Sequence, residues 1–371
     1  MKITCQQTDL ENAVDIVSKA VPVRTSMAIL ECILIDASSG EIKLTANDME
    51  KEIDTILNGS ISERGIIALD AKKFSEIVRK LPKGEVTIRT ESSLATYITC
   101  EEAEYKVVGK SGEDFSYIRV SQKADPVVIS QLTFRNIIKQ TIFSVADTES
   151  NKLMTGELIE IKDNHLKVIA LDGHRVSIRN VELKNSFNNV KVIVPKKTLN
   201  EVIKIIDGGI DDDLNIYVTD NHVIFEFGQT TVVSRIIEGE FFKIEQMLST
   251  DYETKVKINK KKFFDCIDGA TPLITEGDKK PIIVNAVDNS MSLSLSSYIG
   301  TMNRTIDIVK EGKDLMIGFN PKFVLDALKV IDDEEISLYM LNAKSPCFIK
   351  DDAESYIYIV LPVNFNNPGA N

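Results

Sequence analysis

Two periods of apolar and polar residues run along the chain. In K-K-F-S-E-I-V-R-K-L-P, which starts at Lys72, the apolar residues Phe74, Ile77, Val78 and Leu81 fall at i, i+3, i+4 and i+7. That spacing is one face of an amphipathic helix. The pattern returns 125 residues later from Lys197 (K-K-T-L-N-E-V-I-K-I-I-D) and 125 later again around Lys322 (P-K-F-V-L-D-A-L-K-V-I-D). Acidic residues align at Glu76, Glu201 and Asp326, and basic residues at Arg79, Lys204 and Lys329. A second amphipathic helix is predicted around Leu10, Phe134 and Phe263, spaced by 124 and 129. Turn signals at Ser39-Gly40, Asn164 and Asn289 keep nearly the same step. Between the helices, short runs alternate with period two and are broken by Asn58-Gly59, Asp172-Gly173 and Asp220-Asn221, which reads as antiparallel hairpins.

Three markers in one order mean tandem triplication, and a period near 125 is a whole domain, not a solenoid unit. The expected fold class is α+β: three similar domains, each with two helices and antiparallel sheet. Boundaries are expected in the polar stretches 121–126 and 249–254, giving domains 1–122, 127–249 and 253–364 and a polar tail 365–371. The length of 371 residues, 43% hydrophobic and 27% charged, fits this and excludes wholesale disorder.

The formal charge is −12, which argues against uniform coating of nucleic acid. The six predicted helical segments nevertheless sum to +4, leaving −16 on the rest. Lysine on a solvated helix face is common in any protein. Triplication changes the weight, because quasi-symmetric domains put equivalent helices on one side. Lys72, Lys197 and Lys322, with Arg79, Lys204 and Lys329, then form a basic lining suited to sequence-independent phosphate contact.

Catalytic signatures are missing. His165, His174 and His222 are not at metal spacing, and Gly109-Lys110-Ser111 lacks the upstream glycine of a phosphate loop, with Glu104 in its place. The acidic runs 211–213 and 332–335 read as solvated loops. Five scattered cysteines fit reduced, buried thiols. From the first residues no secretory leader is expected, and no apolar run approaches membrane-spanning length. No cofactor and no metal are expected.

Three stretches resemble the bacterial DNA polymerase III beta subunit family, the sliding clamps: Ala-Leu-Asp-Gly-His-Arg-Val at 170–176, Ile-Glu-Gly-Glu-Phe at 237–241 and Tyr-Ile-Val-Leu-Pro-Val at 358–363. The resemblance extends over essentially the whole chain. It implies a non-catalytic processivity factor, cytoplasmic and nucleoid-associated. It also implies a head-to-tail homodimer, a six-domain ring with helices lining the hole and sheets outside. Domains of this size have a radius of gyration of about 14 Å, so six in a ring leave a hole roughly 36 Å across, wide enough for duplex DNA.

The lining and the resemblance together nominate Arg24, Lys72, Lys73, Arg79, Lys80, Lys83, Arg135, Lys139, Lys152, Lys196, Lys197, Lys204, Lys260, Lys322 and Lys329 for DNA. The resemblance further implies an apolar pocket for short peptides of the clamp loader, the replicative polymerase and repair proteins. Its residues are Met154, Thr155, Leu171, Gly173, His174, Arg175, Val176, Phe242, Met247, Pro346, Val360, Leu361, Pro362 and Val363. The alternating strand 104–108, with Tyr105 and Val107, reads as an open edge for the dimer. The resemblance sets Leu273 and Ile274 opposite it. Two rival classes remain: a metal-dependent hydrolase using the acidic runs with Asp172 and His174, and a monomeric interaction scaffold.

Overall fold

The computed structural model describes residues 1–120, 125–147, 151–248, 251–275 and 280–365. The expected boundary residues 121–124 and 249–250 and the tail residues 366–371 lie outside them. Among the described residues there are six α-helices: α1 (Gln7–Val17), α2 (Ala71–Val78), α3 (Gln131–Lys139), α4 (Lys196–Ile205), α5 (Lys260–Asp268) and α6 (Pro321–Val330). They stand where the sequence pattern puts them, but α2 ends before Leu81, the last residue of its apolar stripe. After α3, the Thr141 hydroxyl donates to the Ile137 and Ile138 carbonyls, which competes with continued helix.

The apolar stripes face inward. Phe74 and Val78 of α2, Leu199 and Val202 of α4, and Val324 and Leu328 of α6 are all buried. Asp70 and Asn320 cap α2 and α6 by accepting the Lys73 and Lys322 amides at 2.8 and 3.0 Å. The triplication also appears in hydrogen bonds. The first residue of each opening helix, Gln7, Gln131 or Lys260, donates its amide to the carbonyl of Gly84, Asp212 or Glu334, at 2.8–2.9 Å. Its side chain then donates to the Val78, Asp213 or Ile331 carbonyl. One lock, used three times, ties the start of each opening helix to the end of its partner helix or the strand that follows.

The chain divides into two compact units, residues 1–135 with 197–236, and residues 136–196 with 237–371. The first holds a five-stranded and a nine-stranded sheet. The nine-stranded sheet forms where Thr230–Arg235 pairs antiparallel with Lys51–Leu57, Val232 opposite Ile53. The second unit holds a seven-stranded and a four-stranded sheet. The seven-stranded sheet forms where Tyr356–Val360 pairs with Arg175–Pro195, Ile357 opposite Ile178. Each seam joins strands of neighbouring sequence repeats, so the compact units cut across the 125-residue period.

One expected hairpin is absent. Asn58-Gly59 does not turn Lys51–Leu57 onto the next strand, because Gly59–Glu63 instead pairs with Lys2–Gln6 in the five-stranded sheet. Gly59 serves close approach: a Cβ there would lie 2.5 Å from the Thr4 carbonyl oxygen. The other two hairpins form, with Leu171 opposite Val176 and Val218 opposite Val223.

A polar clasp sits at the first seam. Glu52, 5% exposed, lies opposite Val233. Its Oε2 accepts from Asn47 Nδ2 at 3.2 Å and from the Ile118 amide at 2.9 Å, while Asn47 also donates to the Ser116 carbonyl at 2.6 Å. Burial, with Asp54 adding, pushes the Glu52 carboxyl up to about 7. A raised acid favours the folded state while protonated, and that stability is lost as pH rises through about 7. Replacing Glu52 by Gln keeps an acceptor for both donors and removes the titration. The stability of wild type relative to Glu52→Gln should therefore fall by about 2–3 kcal/mol between pH 4.5 and 8. Urea unfolding across that range measures it, and parallel curves would exclude the assignment.

Candidate nucleic-acid interface and peptide site

The nominated cations separate into two groups. Lys72, Lys73, Arg79 and Lys80 on and after α2, with Lys83 beyond, are exposed, as are Lys139, Lys197, Lys204, Lys322 and Lys329. Arg24 and Lys152, in a loop and a short turn, are exposed too. Lys72, Lys197 and Lys322, one per repeat at the same helical position, make no ion pair among the described residues. Arg79 pairs with Asp15 at 2.7 Å, and Lys204 with Glu201 at 3.1 Å, in solvent where such pairs exchange readily.

Arg135, Lys196 and Lys260 differ. They are half-buried and their charged ends are occupied. Arg135 Nη1 donates to the Ile206 carbonyl at 3.1 Å, and Lys260 Nζ donates to the Ile331 carbonyl. Both close a helix C-terminus, where unpaired carbonyls and the helix dipole favour a cation. Lys196 Nζ donates to the Val145 carbonyl at 3.2 Å and pairs with Asp147 at 2.6 Å, which holds the Asp147 carboxyl below its ordinary range. These three brace the fold before they face any ligand.

The nominated peptide residues all fall in the second unit. Leu171 and Val176 are buried in an apolar cluster with Ile237, Phe241, Ile244 and Ile359, and Met154 and Phe242 pack half-buried against it. The Phe241 and Phe242 rings meet edge-on at 5.7 Å. Met247 is 40% exposed, Gly173 and His174 are exposed, and Thr155, Pro346, Leu361, Pro362 and Val363 are half-buried. The C-terminal segment is held from both sides: the Leu361 amide donates to the His174 carbonyl at 2.9 Å and the Val363 amide to the Gly318 carbonyl at 2.8 Å.

Two of the nominated residues have other work. Val360 is buried in a separate core with Val256, Leu325 and Leu328. Arg175 is 8% exposed and fully engaged inside the unit. Sequence reading missed its partners, Phe143, Phe323 and Asp326. On an amphipathic helix Phe323 reads as ordinary core, and only its stack on His174, at 5.9 Å, marks it as part of the site.

Tyr105 and Val107 lie half-buried on Ala103–Val108, which ends the five-stranded sheet, and Val108 beside them is 78% exposed. Leu273 and Ile274 pack partly buried against the core of the second unit. The neighbouring four-stranded sheet ends in Thr301–Asp307, an edge that the sequence pattern did not single out.

The residues nominated for hydrolysis are engaged in the fold. Among the described residues no group of His, Cys, Asp or Glu could hold a metal. Asp172 is spent on its own turn, with Oδ1 accepting the His174 and Arg175 amides and Oδ2 accepting Arg175 Nε. In the acidic runs, Asp212 accepts the Gly209 amide and Asp333 accepts the Tyr356 hydroxyl. Lys110 and Ser111 form a two-residue strand, and Ser111 caps only a three-residue 3-10 turn, Gly112–Asp114, not the α-helix a phosphate loop needs. All five cysteines are buried and free, and burial pushes the Cys5 and Cys347 thiols up to about 12. Among the described residues no helix is long and apolar enough to cross a membrane.

Repeated α+β domains with exposed lysines on equivalent helices fit a DNA-clamp architecture. Comparison with known proteins agrees. Three family models match in order: the DNA polymerase III beta subunit N-terminal domain over residues 1–119, the central domain over 128–243 and the C-terminal domain over 245–364. The beta sliding clamp of Staphylococcus epidermidis is 32% identical over 98% of this chain and 99% of its own, and that of Staphylococcus aureus 31% over 93% and 94%. A crystal structure from Eubacterium rectale superposes with a TM-score of 0.96 at 62% identity, covering 98% of this chain and 100% of that one. The DNA polymerase sliding clamp of Bacillus subtilis gives 0.95 at 30% identity, over 99% and 100%. The chain belongs to the DNA polymerase III beta subunit family, the beta sliding clamps, which are non-catalytic processivity factors.

The two groups of cations should separate on substitution. Arg135→Ala and Lys260→Ala each remove a helix-end bond and should cost about 1 kcal/mol, read from urea midpoints. Lys72→Ala and Lys197→Ala should stay within about 0.5 kcal/mol of wild type. Equal costs for all four would erase the distinction.

Proposed function

We propose that two copies of this chain close head to tail into a ring that encloses duplex DNA and tethers replication proteins by their peptides. The observation that carries the ring is the repeated seam. Inside the chain, Thr230–Arg235 completes its sheet on Lys51–Leu57, and Tyr356–Val360 completes its sheet on Arg175–Pro195. The corresponding last strand of the first repeat, Ala103–Val108, ends its sheet without a partner, and Thr301–Asp307 does the same. Unpaired edges favour strand addition. A second copy supplies the missing seam, and two-fold symmetry makes it twice. Tyr105 and Val107 then face a partner edge flanked by Leu273 and Ile274.

In that ring the exposed cations Lys72, Lys73, Lys80, Lys83, Lys139, Lys197, Lys204, Lys322 and Lys329, with Arg24, Arg79 and Lys152, meet phosphates through flexible, screened contacts. Retention comes from enclosure, so the grip on any one sequence stays weak. The acidic remainder of the surface keeps DNA off the outside. Met154, Thr155, Leu171, Val176, Phe242, Met247 and 361–363 form the groove for polymerase, clamp-loader and repair peptides, an apolar floor with a polar rim. The protein acts in the cytoplasm at the nucleoid.

The solution mass should be twice the 41.4 kDa of one chain. Lys106→Pro removes an amide that faces away from the neighbouring strand, and Leu273→Lys with Ile274→Lys buries unpaired charge, so each should yield monomer by light scattering. A concentration-independent mass near one chain for wild type would remove the ring. Once loaded on a nicked circle, the protein should survive high-salt washing and leave when the circle is linearised. Loss in salt from intact circles would contradict enclosure.

A further inference from the structure

We infer that Arg175 is a positioning residue of the peptide site, one that fixes the site's lip to α6 and does not itself touch the peptide. The inference rests on the peptide-groove reading above. The lip is the hairpin tip 172–175. Gly173 sits there at φ +86°, and a Cβ on it would meet nothing within 4 Å, so the tip projects into open space. A projecting tip with an exposed imidazole has little to hold it except its anchor.

That anchor is the Arg175 fork, and each of its nitrogens is used. Nε donates to Asp172 Oδ2 at 2.9 Å, inside the turn. Nη1 donates to Asp326 Oδ2 on α6 at 2.8 Å, and Nη2 to the Phe143 carbonyl at 2.6 Å. The guanidinium also lies over the rings of Phe143 and Phe323, at 5.4 and 4.6 Å from their centroids. At 8% exposure, with all three nitrogens engaged inside the unit, it offers a ligand little surface. Three acceptors in three directions suit a planar fork and not a lysine ammonium on a flexible stem.

The geometry then runs outward from the fork. Arg175 and His174 both pack on Phe323, the imidazole nearly parallel to it at 20°. The His174 carbonyl receives the Leu361 amide, so the same lip sets the C-terminal segment that carries Leu361, Pro362 and Val363. Leu171 and Val176 flank the turn and form part of the apolar floor. Loosening the fork moves the wall of the groove without removing any of its surface.

The test uses the full-length protein and a fluorescein-labelled peptide carrying the C-terminus of the same organism's replicative polymerase, read by anisotropy. Asp326→Asn lies on α6 and leaves Arg175 its bonds to Asp172 and Phe143, which protects folding. It should weaken peptide binding about tenfold, and Arg175→Lys should weaken it at least as much. The His174 ring protons, shielded by Phe323 in wild type, should shift toward free-histidine values in both variants. Wild-type affinity in both, with or without a lower melting temperature, would reduce Arg175 to a structural residue and overturn the inference. Weak binding by Arg175→Lys alone, with Asp326→Asn normal, would make Arg175 a direct peptide contact and overturn it equally. Failure of the wild-type protein to bind the peptide would instead overturn the groove reading.

Discussion

A strand at the edge of a sheet carries a row of unpaired amides and carbonyls, and this chain meets that constraint by letting each repeat finish its neighbour's sheet. At the first seam Val232 faces Ile53, and the Thr55 and Thr230 hydroxyls lie 3.0 Å apart. At the second, Ile178 faces Ile357 and Val176 faces Ile359. Apolar cross-strand pairs of this kind each add a few tenths of a kcal/mol to about 1 kcal/mol beyond the backbone bonds. A repeat is therefore not a self-contained body. The compact units follow the sheets, which is why they straddle the sequence period.

The helices answer a different demand. Gln7, Gln131 and Lys260 pin the opening helices by amide and side chain alike, and Arg135 adds a lock at the end of α4. With the helix ends held by these groups, the lysines on the solvated faces have no structural duty. A cation that the fold does not need can follow a moving phosphate. The division of labour between Lys260, which is bound, and Lys322, which makes no ion pair among the described residues, is what the proposed contact without register requires.

Much of this was legible in the sequence, because a period of 3.6 with aligned charges survives inspection without coordinates. Phe74, Leu199 and Val324 are buried as the stripe requires, and Asp172-Gly173 makes its turn. Other features depend on what lies far away along the chain. Gly59 looks like a turn residue, yet its lack of a side chain admits the Thr4 carbonyl. Lys260 and Lys197 both read as exposed helix lysines, and only the position of Ile331 distinguishes them. Glu52 reads as the polar member of an alternating strand, while the linker amide of Ile118 makes it a buried acceptor. Arg175 follows the family motif, but its partners come from positions 143 and 326.

The two internal seams share a further trait. Each has a buried ionisable side chain in its ladder, Glu52 opposite Val233 and Arg175 opposite Val360. Burying such groups costs free energy, but a one-residue slip of either ladder would pull them from their partners and turn every side chain to the wrong face. They therefore specify register in seams that form once and stay closed. The edge strands Ala103–Val108 and Thr301–Asp307 are built otherwise. Glu104 and Lys106 on one, and Arg304 and Asp307 on the other, are exposed and remain hydrated while the edge is unpaired. Charges already in water lose little when a seam opens, and they discourage wrong pairing while it is open. In the proposed ring, which has to part for DNA to enter, this chemistry suits a junction that opens, and the buried clasps suit the seams inside the chain.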